Sequence, residues 1–221
     1  MLIIFDLDDT LIDTTNRLTP IILLKTLKVM IKKGLKIDDE KRAYQKILKI
    51  DKTSIGSKQT IKKFLYEQKA DKNFYDIAIN SMYLPLDGDI KIFTLHNAID
   101  VLKYLSERHS LALVSQGAVK LQFDKMEKAG IDRAIFSKIV ITKVANKGFY
   151  YKKIMDELGY KSNNTYVCGD KIEVDLVPAK ELGCITICMN WGRKKNINKT
   201  YVDYTINSLE EVKKILDEKL R

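Results

Sequence analysis

The hydrophobic and polar positions of the chain follow two patterns, and the change from one to the other divides the sequence. Residues 2–5 form a short apolar run, Leu-Ile-Ile-Phe, which is typical of a fully buried strand. From about residue 15 to 87 the apolar positions recur at helical spacing, as at Ile61, Phe64 and Leu65. Beyond that region, predicted helices alternate with short apolar strands. This alternation predicts an α/β fold: a parallel, Rossmann-like sheet with helices on both faces.

Helix caps, glycines and prolines give the approximate bounds of these elements. The all-helical block is an insert between the first strand and the rest of the sheet. We therefore expect a core domain formed by residues 1–14 and 88–221 and a helical cap domain formed by residues 15–87. The cap is predicted to hold helices over residues 19–33, 38–50, 57–69 and 73–83, and to end at a turn marked by Pro85, Asp87 and Gly88. The core is predicted to hold further strands over residues 110–114, 139–141, 165–168, 184–189 and 203–206, and helices over residues 95–108, 119–129, 148–158, 174–182 and from 208.

Three carboxylates follow the first strand within four positions: Asp6, Asp8 and Asp9. In open α/β sheets, ligands bind just outside the carboxyl ends of the strands. Asp6 and Asp8 are two residues apart, so an extended backbone directs both side chains to the same side. Like charges this close repel each other unless a cation lies near them, and Mg²⁺ is a hard cation that prefers oxygen ligands. The alternative is an ordinary acidic turn after a strand.

Polar residues also stand after three later strands of the predicted sheet: Ser115-Gln116-Gly117, then Lys147, then Gly169-Asp170 with Asp175 five residues further on. Taken singly, each has an ordinary explanation, namely a helix cap, a surface lysine and a turn. Taken together, they place a hydroxyl, a lysine and further carboxylates at the carboxyl ends of parallel strands. Because those ends meet at one edge of the sheet, we expect these side chains to form one site.

The order of these motifs resembles that of the haloacid dehalogenase superfamily, and the resemblance covers nearly the whole chain. Asp6-Leu7-Asp8-Asp9-Thr10-Leu11 resembles the first motif of that family, Ser115 the second, Lys147 the third, and Gly169-Asp170 with Asp175 the fourth. The helical insert resembles the cap of the helical-cap group. That group includes phosphoglycolate-type phosphatases, phosphomutases, pyrimidine nucleotidases and dehalogenases.

The resemblance implies a magnesium-dependent mechanism on the carboxylates. Asp6 would be the nucleophile that forms an aspartyl-phosphate, which divides one difficult displacement into two easier ones. Asp8 would protonate the leaving alkoxide and later activate water. Mg²⁺ would be held by the Asp6 side chain, the Asp8 backbone carbonyl and Asp170.

The resemblance also implies roles for the remaining motif residues. Ser115 would donate to a phosphoryl oxygen, Lys147 would neutralise charge on the nucleophile and the phosphoryl group, and Asp175 would orient Lys147 or support the metal. Gly148 follows Lys147 where the family often has proline, so Lys143 stays an alternative for the third motif. The expected substrate-binding residues of the core are Asp6, Thr10, Ser115, Gln116, Gly117 and Lys147.

The acid at position 8 bears on which reaction of the family to expect. Dehalogenases typically lack an acid there, because a halide leaves without a proton. Asp8 therefore favours a phosphatase that hydrolyses a small phosphorylated metabolite. The alternatives are a phosphomutase of the same superfamily and, in another class, a nucleic-acid-binding protein that acts on terminal phosphates. A catalytically silent scaffold is not favoured, because every expected catalytic position is filled.

The cap is expected to select the substrate by closing over the site and excluding water. Its loop over residues 53–58 is the candidate for substrate contact. Gly56 would allow a tight approach, and Lys58 would meet an anionic group. An ordinary connection between two helices explains the same residues equally well.

Composition limits the remaining possibilities. The 221 residues are 45% hydrophobic and 31% charged, as in ordinary globular proteins. The net charge of +10 admits an anionic substrate or nucleic acid, but scattered lysines without interleaved aromatic residues argue against nucleic acid. The three cysteines lack zinc-ligand or redox-pair spacing, which predicts reduced thiols and a cytoplasmic protein. We expect neither a membrane segment nor a signal peptide, since no apolar run is long enough and no basic region precedes the first strand.

Overall fold

The computed structural model describes residues 1–84, 88, 90–144, 146–193 and 200–219. The chain divides into two compact units, one formed by Met1–Thr14 with Asp87–Arg221 and one formed by Thr15–Leu86. The turn predicted at Pro85 and Asp87 lies outside the described residues. Across the ranges that the structure describes, no helix is both long and apolar enough to cross a membrane.

The first unit is built on a sheet of six parallel strands. These strands are β1 (Leu2–Phe5), β2 (Ser110–Gln116), β3 (Phe136–Thr142), β4 (Thr165–Gly169), β5 (Ile185–Met189) and β6 (Tyr204–Ile206). Their order in the sheet is β3-β2-β1-β4-β5-β6. Leu2 therefore pairs with Ser110 on one side and with Thr165 on the other. The predicted parallel α/β sheet is confirmed, and its first strand lies at the centre.

Helices cover both faces of this sheet. They are α5 (Ala98–Ser106), α6 (Val119–Lys128), α7 (Gly148–Leu158), α8 (Val177–Glu181) and α9 (Glu210–Lys219). Leu2 and Ile4 point to one face, where they pack in a cluster with Tyr151 of α7 and Ala179 of α8. Ile3 points to the opposite face and is equally buried. Burial on both faces explains why β1 is a continuous apolar run rather than an alternating one.

In the part of the second unit that the structure describes, the α-helices are α1 (Thr19–Lys32), α2 (Glu40–Asp51), α3 (Ser57–Glu67) and α4 (Asn73–Met82). Their apolar faces meet in one buried cluster that includes Leu27, Ile47 and Phe64. The Asp39 side chain caps α2 by accepting a hydrogen bond from the Arg42 N–H at 2.9 Å. All four predicted helices are confirmed, with ends that differ by one to two residues.

Several predicted elements differ from the structure in extent, among them β2, which ends at Gln116, and α8, which begins at Val177 rather than at residue 174. A π-helix over Thr14–Leu18 precedes α1 and was not predicted. Helix α5 begins at Ala98 rather than at residue 95, because Asn97 adopts a left-handed conformation with φ of +58°. Strand β3 is longer than predicted, because Phe136 and Lys138 pair with Leu111 and Ala112 of β2, with a shift in register at Ser137.

Candidate active site

The turn after β1 fixes Asp6 at the carboxyl end of the central strand. The Asp6 N–H donates to the Cys168 carbonyl at 2.9 Å, which continues the pairing of β1 with β4 for one more residue. The chain then turns back, and the Leu7 carbonyl accepts a hydrogen bond from the Ile12 N–H at 3.0 Å. Asp9 has a φ of +58°, a left-handed conformation in which Asp and Asn are enriched. Asp6 is left buried at the edge of the sheet where ligands bind in such folds.

A buried lysine lies between Asp6 and Asp175. The Lys147 Nζ is 2.7 Å from Oδ1 of Asp6 and 2.6 Å from Oδ1 of Asp175, and the side chain is 1% exposed. Burial lowers the pKa of Lys147, but the carboxylates of Asp175 and Asp6 outweigh that effect and raise it. Lys143, the alternative lysine, is exposed. Of the two, it is Lys147 that contacts the predicted nucleophile.

Asp175 reaches this lysine because Gly169 leaves room for it. A Cβ atom at position 169 would lie 2.6 Å from the Cβ of Asp175, a distance at which one of the two residues must move. Besides its contact with Lys147, Asp175 accepts a hydrogen bond from the Lys171 N–H at 2.9 Å through Oδ2. Both oxygens of this carboxylate therefore have donors from the protein.

Three buried carboxylates lie close together at the carboxyl end of the sheet. One oxygen from each of Asp6, Asp170 and Asp175 lies within 4.8 Å of the other two. Burial raises the pKa of Asp6 to about 6 against the opposing effect of Lys147, and burial raises the pKa of Asp170 well above its ordinary value. The set consists of hard oxygen donors with more negative charge than Lys147 offsets, which fits Mg²⁺. The Asp8 side chain is not part of this cluster, and the sequence predicted only its backbone carbonyl as a ligand.

The Asp8 side chain is held by donors on two segments of the chain. Lys125 Nζ lies 2.8 Å from Oδ1 and 3.0 Å from Oδ2, and Gln122 Nε2 lies 2.9 Å from Oδ2. The Thr14 hydroxyl also donates to Oδ1. Burial by itself raises the pKa of Asp8, but the Lys125 ammonium and the hydrogen bonds from Lys125, Thr14 and Gln122 lower it below its usual range.

Ser115 and Gly117 lie at the end of β2 beside the same network. The Ser115 hydroxyl is buried and accepts a hydrogen bond from Gln122 Nε2 at 2.6 Å. The Gly117 N–H donates to the Thr142 carbonyl at 2.8 Å, so this amide is engaged within the protein. A Cβ at Gly117 would lie 3.0 Å from Cδ of Gln122, which explains a residue without a side chain at this position.

The other predicted substrate-binding residues lie in different surroundings. Gln116 is exposed, and its Nε2 is 3.4 Å from the Lys143 carbonyl. Thr10 is fully buried, and within the described residues its hydroxyl has no hydrogen-bonding partner. In the helical unit, Lys58 is exposed and its Nζ lies 5.3 Å from the ring centre of Tyr83, a cation–π contact.

The sequence analysis missed Lys125 and Gln122. Both lie on the buried face of α6, with exposed fractions of 6% and 1%, beside the apolar Leu121 and Met126. Polar residues at positions where an amphipathic helix normally buries apolar ones were the available signal. Sequence alone does not say which group such residues contact, because that depends on how the helix packs.

Together these groups can act on a phosphate ester. A carboxylate beside a buried ammonium can attack an anionic centre whose charge the ammonium offsets. A second carboxylate, fixed in place nearby along the chain, can give or accept a proton. A buried hydroxyl at the end of β2 can donate to an oxygen of the reacting group. This combination of groups fits the active site of a hydrolase.

Comparison with known proteins leads to the same class. Residues 1–183 match the family model of haloacid dehalogenase-like hydrolases, and the chain belongs to that family. It is 30% identical over 221 residues to the glyceraldehyde 3-phosphate phosphatase of Methanocaldococcus jannaschii, an alignment that covers 95% of this chain and 94% of the relative. Within the family the chain is a phosphatase, so the predicted enzyme class, a phosphoric monoester hydrolase, is confirmed.

Solved structures agree on the fold. The chain is similar to a predicted phosphoglycolate phosphatase of Haemophilus somnus, with a TM-score of 0.73, 17% identity and 97% of both chains covered. It is also similar to the HAD-hydrolase YfnB of Bacillus subtilis, solved bound to magnesium, with a TM-score of 0.67, 16% identity and 97% of both chains covered. At these identities the similarity supports the Rossmann-like core and the helical cap.

Proposed function

We propose that this enzyme hydrolyses the phosphate monoester of a small metabolite in a magnesium-dependent reaction, through a phosphorylated Asp6. The observation that carries the proposal is the Asp6 carboxylate itself. It is buried, lies 2.7 Å from the Lys147 ammonium, and is grouped with Asp170 and Asp175 within 4.8 Å. A carboxylate in these surroundings is suited to attack phosphorus while nearby positive charge offsets the repulsion.

In the first half of the reaction, a carboxylate oxygen of Asp6 attacks the phosphorus atom. The bond from phosphorus to the ester oxygen breaks, and the departing alkoxide takes a proton from Asp8. Asp8 must therefore enter this step protonated, although its contact with Lys125 favours the ionised form. Lys147 offsets the charge of Asp6 and of the phosphoryl group, while the Ser115 hydroxyl donates to a phosphoryl oxygen. Asp175 keeps Lys147 in place through its 2.6 Å contact.

In the second half, water replaces the alcohol. Asp8, now a carboxylate, takes a proton from the water molecule, whose oxygen attacks phosphorus. The bond between phosphorus and Asp6 breaks, which releases inorganic phosphate and restores the aspartate. The same two carboxylates therefore act in both halves, with Asp8 first as acid and then as base.

Magnesium would be held by the Asp6 side chain, Asp170 and the backbone carbonyl of Asp8. When bound, it supplies positive charge that lets the anionic phosphate approach the anionic nucleophile. The grouping of Asp6 and Asp170 supports this assignment, because both are oxygen donors in a pocket with surplus negative charge. The two donors on Asp175 favour its role as the partner of Lys147 rather than as a ligand.

We propose glyceraldehyde 3-phosphate as the first substrate to test. The support is the M. jannaschii relative that carries this activity in its name and aligns over nearly the whole of both chains. The net charge of +10 agrees with an anionic substrate. Lys58 of the helical unit remains the proposed contact for an anionic group of the substrate.

The test measures release of inorganic phosphate from an aryl phosphate and from glyceraldehyde 3-phosphate, with Mg²⁺ and with EDTA. Wild type is compared with Asp6→Asn and with Asp100→Asn, which removes an exposed carboxylate on α5. We expect activity that requires Mg²⁺, is abolished in Asp6→Asn and is unchanged in Asp100→Asn. Activity retained by purified Asp6→Asn would refute the mechanism, and transfer of the phosphoryl group without phosphate release would indicate a phosphomutase.

A further inference from the structure

Helix α6 carries a lysine and a glutamine whose side chains contact Asp8, the group proposed to act first as acid and then as base. Lys125 and Gln122 are three residues apart, so they share one face of the helix. Lys125 Nζ contacts both oxygens of Asp8, at 2.8 and 3.0 Å. Gln122 Nε2 adds a third contact at 2.9 Å. Donors on both oxygens restrict the rotation of the carboxylate as well as its position.

Burying the side chains of Lys125 and Gln122 carries a free-energy cost. A long lysine side chain loses about 2 kcal/mol of rotamer entropy when it is fixed, and its ammonium also loses hydration. Pairs of this kind are on average a weak source of stability, since apolar residues of similar volume often stabilise as well or better. The contact of Lys125 and Gln122 with Asp8 is therefore more easily explained by the placement of that group than by stability.

Gln122 also joins Asp8 to the predicted phosphate-binding hydroxyl. Its Nε2 lies 2.6 Å from Oγ of Ser115 and 2.9 Å from Oδ2 of Asp8, so one amide group bridges the two. Gly117 makes this possible, because a Cβ there would lie 3.0 Å from the glutamine Cδ. One amide thereby sets the spacing between the hydroxyl that would contact the phosphoryl group and the carboxylate that would move the proton.

We propose that Lys125 and Gln122 are positioning residues that place the Asp8 carboxylate for proton transfer, with Gln122 fixing its distance from Ser115. The proposal rests on the proposed function, in which Asp8 is the acid and base. A proton-transfer group must lie within about 2.6–3.2 Å of its partner atom, and misplacement by about 1 Å can cost roughly 10²-fold in rate. Asp8 lies in the tight turn between Leu7 and Ile12 rather than in a helix or strand, so helix α6 supplies the rigid support.

The carboxylate must exchange one of its donors during the reaction. An ionised carboxylate has about four lone-pair positions, and Lys125, Gln122 and Thr14 together direct four contacts at Asp8. In the second half of the reaction, the water molecule that gives its proton to Asp8 therefore has to replace one of them. The Thr14 hydroxyl is the neutral donor outside α6 and the weaker partner compared with the lysine ammonium. Its replacement leaves both contacts from α6 in place.

The kinetic test compares two esters that differ in their need for an acid. The value of kcat/KM is set by steps up to departure of the alcohol, so it responds to proton donation. A 4-nitrophenyl ester leaves as a stable phenolate and needs little help, whereas glycerol phosphate leaves as an alkoxide and needs a proton. We expect Lys125→Met and Gln122→Leu to lower kcat/KM for glycerol phosphate about 10- to 100-fold, and for the aryl ester less than about threefold.

A second kinetic signature concerns the aryl ester alone. Hydrolysis of phosphorylated Asp6 still needs Asp8 as a base, so kcat for the aryl ester should fall in both variants while kcat/KM is nearly kept. KM then falls together with kcat. Lys120→Met is the matched control, because this lysine lies on the same helix and is exposed. It should behave as wild type on both esters. Equal losses of kcat/KM on the two esters, or no loss on either, would overturn the proposal.

Crystal structures of wild type and of the Gln122→Leu and Lys125→Met variants give a result that needs no turnover. We expect the Asp8 carboxylate to move by about 1 Å or more in the variants, and an unchanged position would overturn the proposal. Gln122→Leu keeps the Lys125 ion pair, so it serves if Lys125→Met does not fold. Wild-type protein inactive on both esters and on glyceraldehyde 3-phosphate would refute the proposed function, and the crystal structures would still decide whether α6 places Asp8.

Discussion

Replacing Asp6 with asparagine should stabilise the metal-free protein, by an amount that depends on pH. An aspartate in the unfolded chain ionises near 3.8, whereas burial raises the pKa of Asp6 in the folded protein to about 6. Between these values the folded state binds more protons than the unfolded state, so this group lowers stability as the pH rises. At about 1.4 kcal/mol for each pKa unit, the ionised carboxylate reduces the free energy of unfolding by about 3 kcal/mol above about pH 7.

Asparagine has nearly the shape of the protonated acid and cannot ionise. The stability of Asp6→Asn relative to wild type should therefore rise by about 3 kcal/mol from about pH 4 to about pH 7 and stay constant above that. For a chain of this size the rise corresponds to about 6–12 °C in melting temperature. Effects common to both proteins cancel in the difference, whereas Asp170 also contributes to it, because, besides burial, the Asp6 charge helps to raise the pKa of Asp170.

Urea unfolding in EDTA, repeated across this pH range, measures the effect. Trp191 is the one tryptophan of the sequence and belongs to the same unit as Asp6, so its fluorescence follows the relevant part of the chain. Asp100→Asn, on the exposed surface of that unit, should show no comparable pH dependence. A difference between Asp6→Asn and wild type that stays constant over the range would refute the reasoning. Adding Mg²⁺ should stabilise wild type more than the variant, because asparagine removes a ligand charge.

Three further substitutions test other contacts. In Gly169→Ala the new Cβ would lie 2.6 Å from the Cβ of Asp175, so the substitution should destabilise the fold by about 1–3 kcal/mol and lower kcat at least about tenfold. Urea unfolding measures the loss of stability, and steady-state kinetics measure the loss of kcat. Lys147→Met should destabilise the metal-free protein by about 3–5 kcal/mol in urea unfolding, since Asp6 and Asp175 lose their shared cation. Lys58→Ala should change relative rates across a panel of phosphate esters without changing the melting temperature, and unchanged selectivity would remove this lysine from the substrate site.

Much of the fold could be predicted because the strands and helices differ in hydrophobic period. The apolar run of β1 and the helical spacing around Phe64 each depend on neighbouring residues alone. The extent of β3 could not be predicted in this way, because its first residues belong to the strand only through the pairing of Phe136 and Lys138 with β2. The start of α5 was also misplaced, since the left-handed conformation of Asn97 is not evident from its residue type.

The candidate site likewise has features that the sequence predicted and features that it did not. The sequence pointed to Asp6, Ser115 and Lys147 because each follows a predicted strand, and the structure places all three at the carboxyl end of the sheet. The sequence favoured Lys147 as the lysine of the third motif but left Lys143 open as an alternative. Both stand after the same strand, and only the path of the chain shows which side chain is buried against Asp6.

The sequence by itself determined the order of elements, the class of fold and the strand ends that carry the chemistry. Hydrophobic period and strand-terminal polar residues are local properties, and the parallel topology brings those ends to one edge. Only the tertiary structure decided the partners of Asp8, because the contacts of Lys125 and Gln122 depend on the rotation of α6 against the sheet. Likewise, only the folded chain showed that Gly169 and Gly117 leave space for Asp175 and Gln122. Contacts between side chains distant in sequence are fixed by packing, which no local pattern encodes.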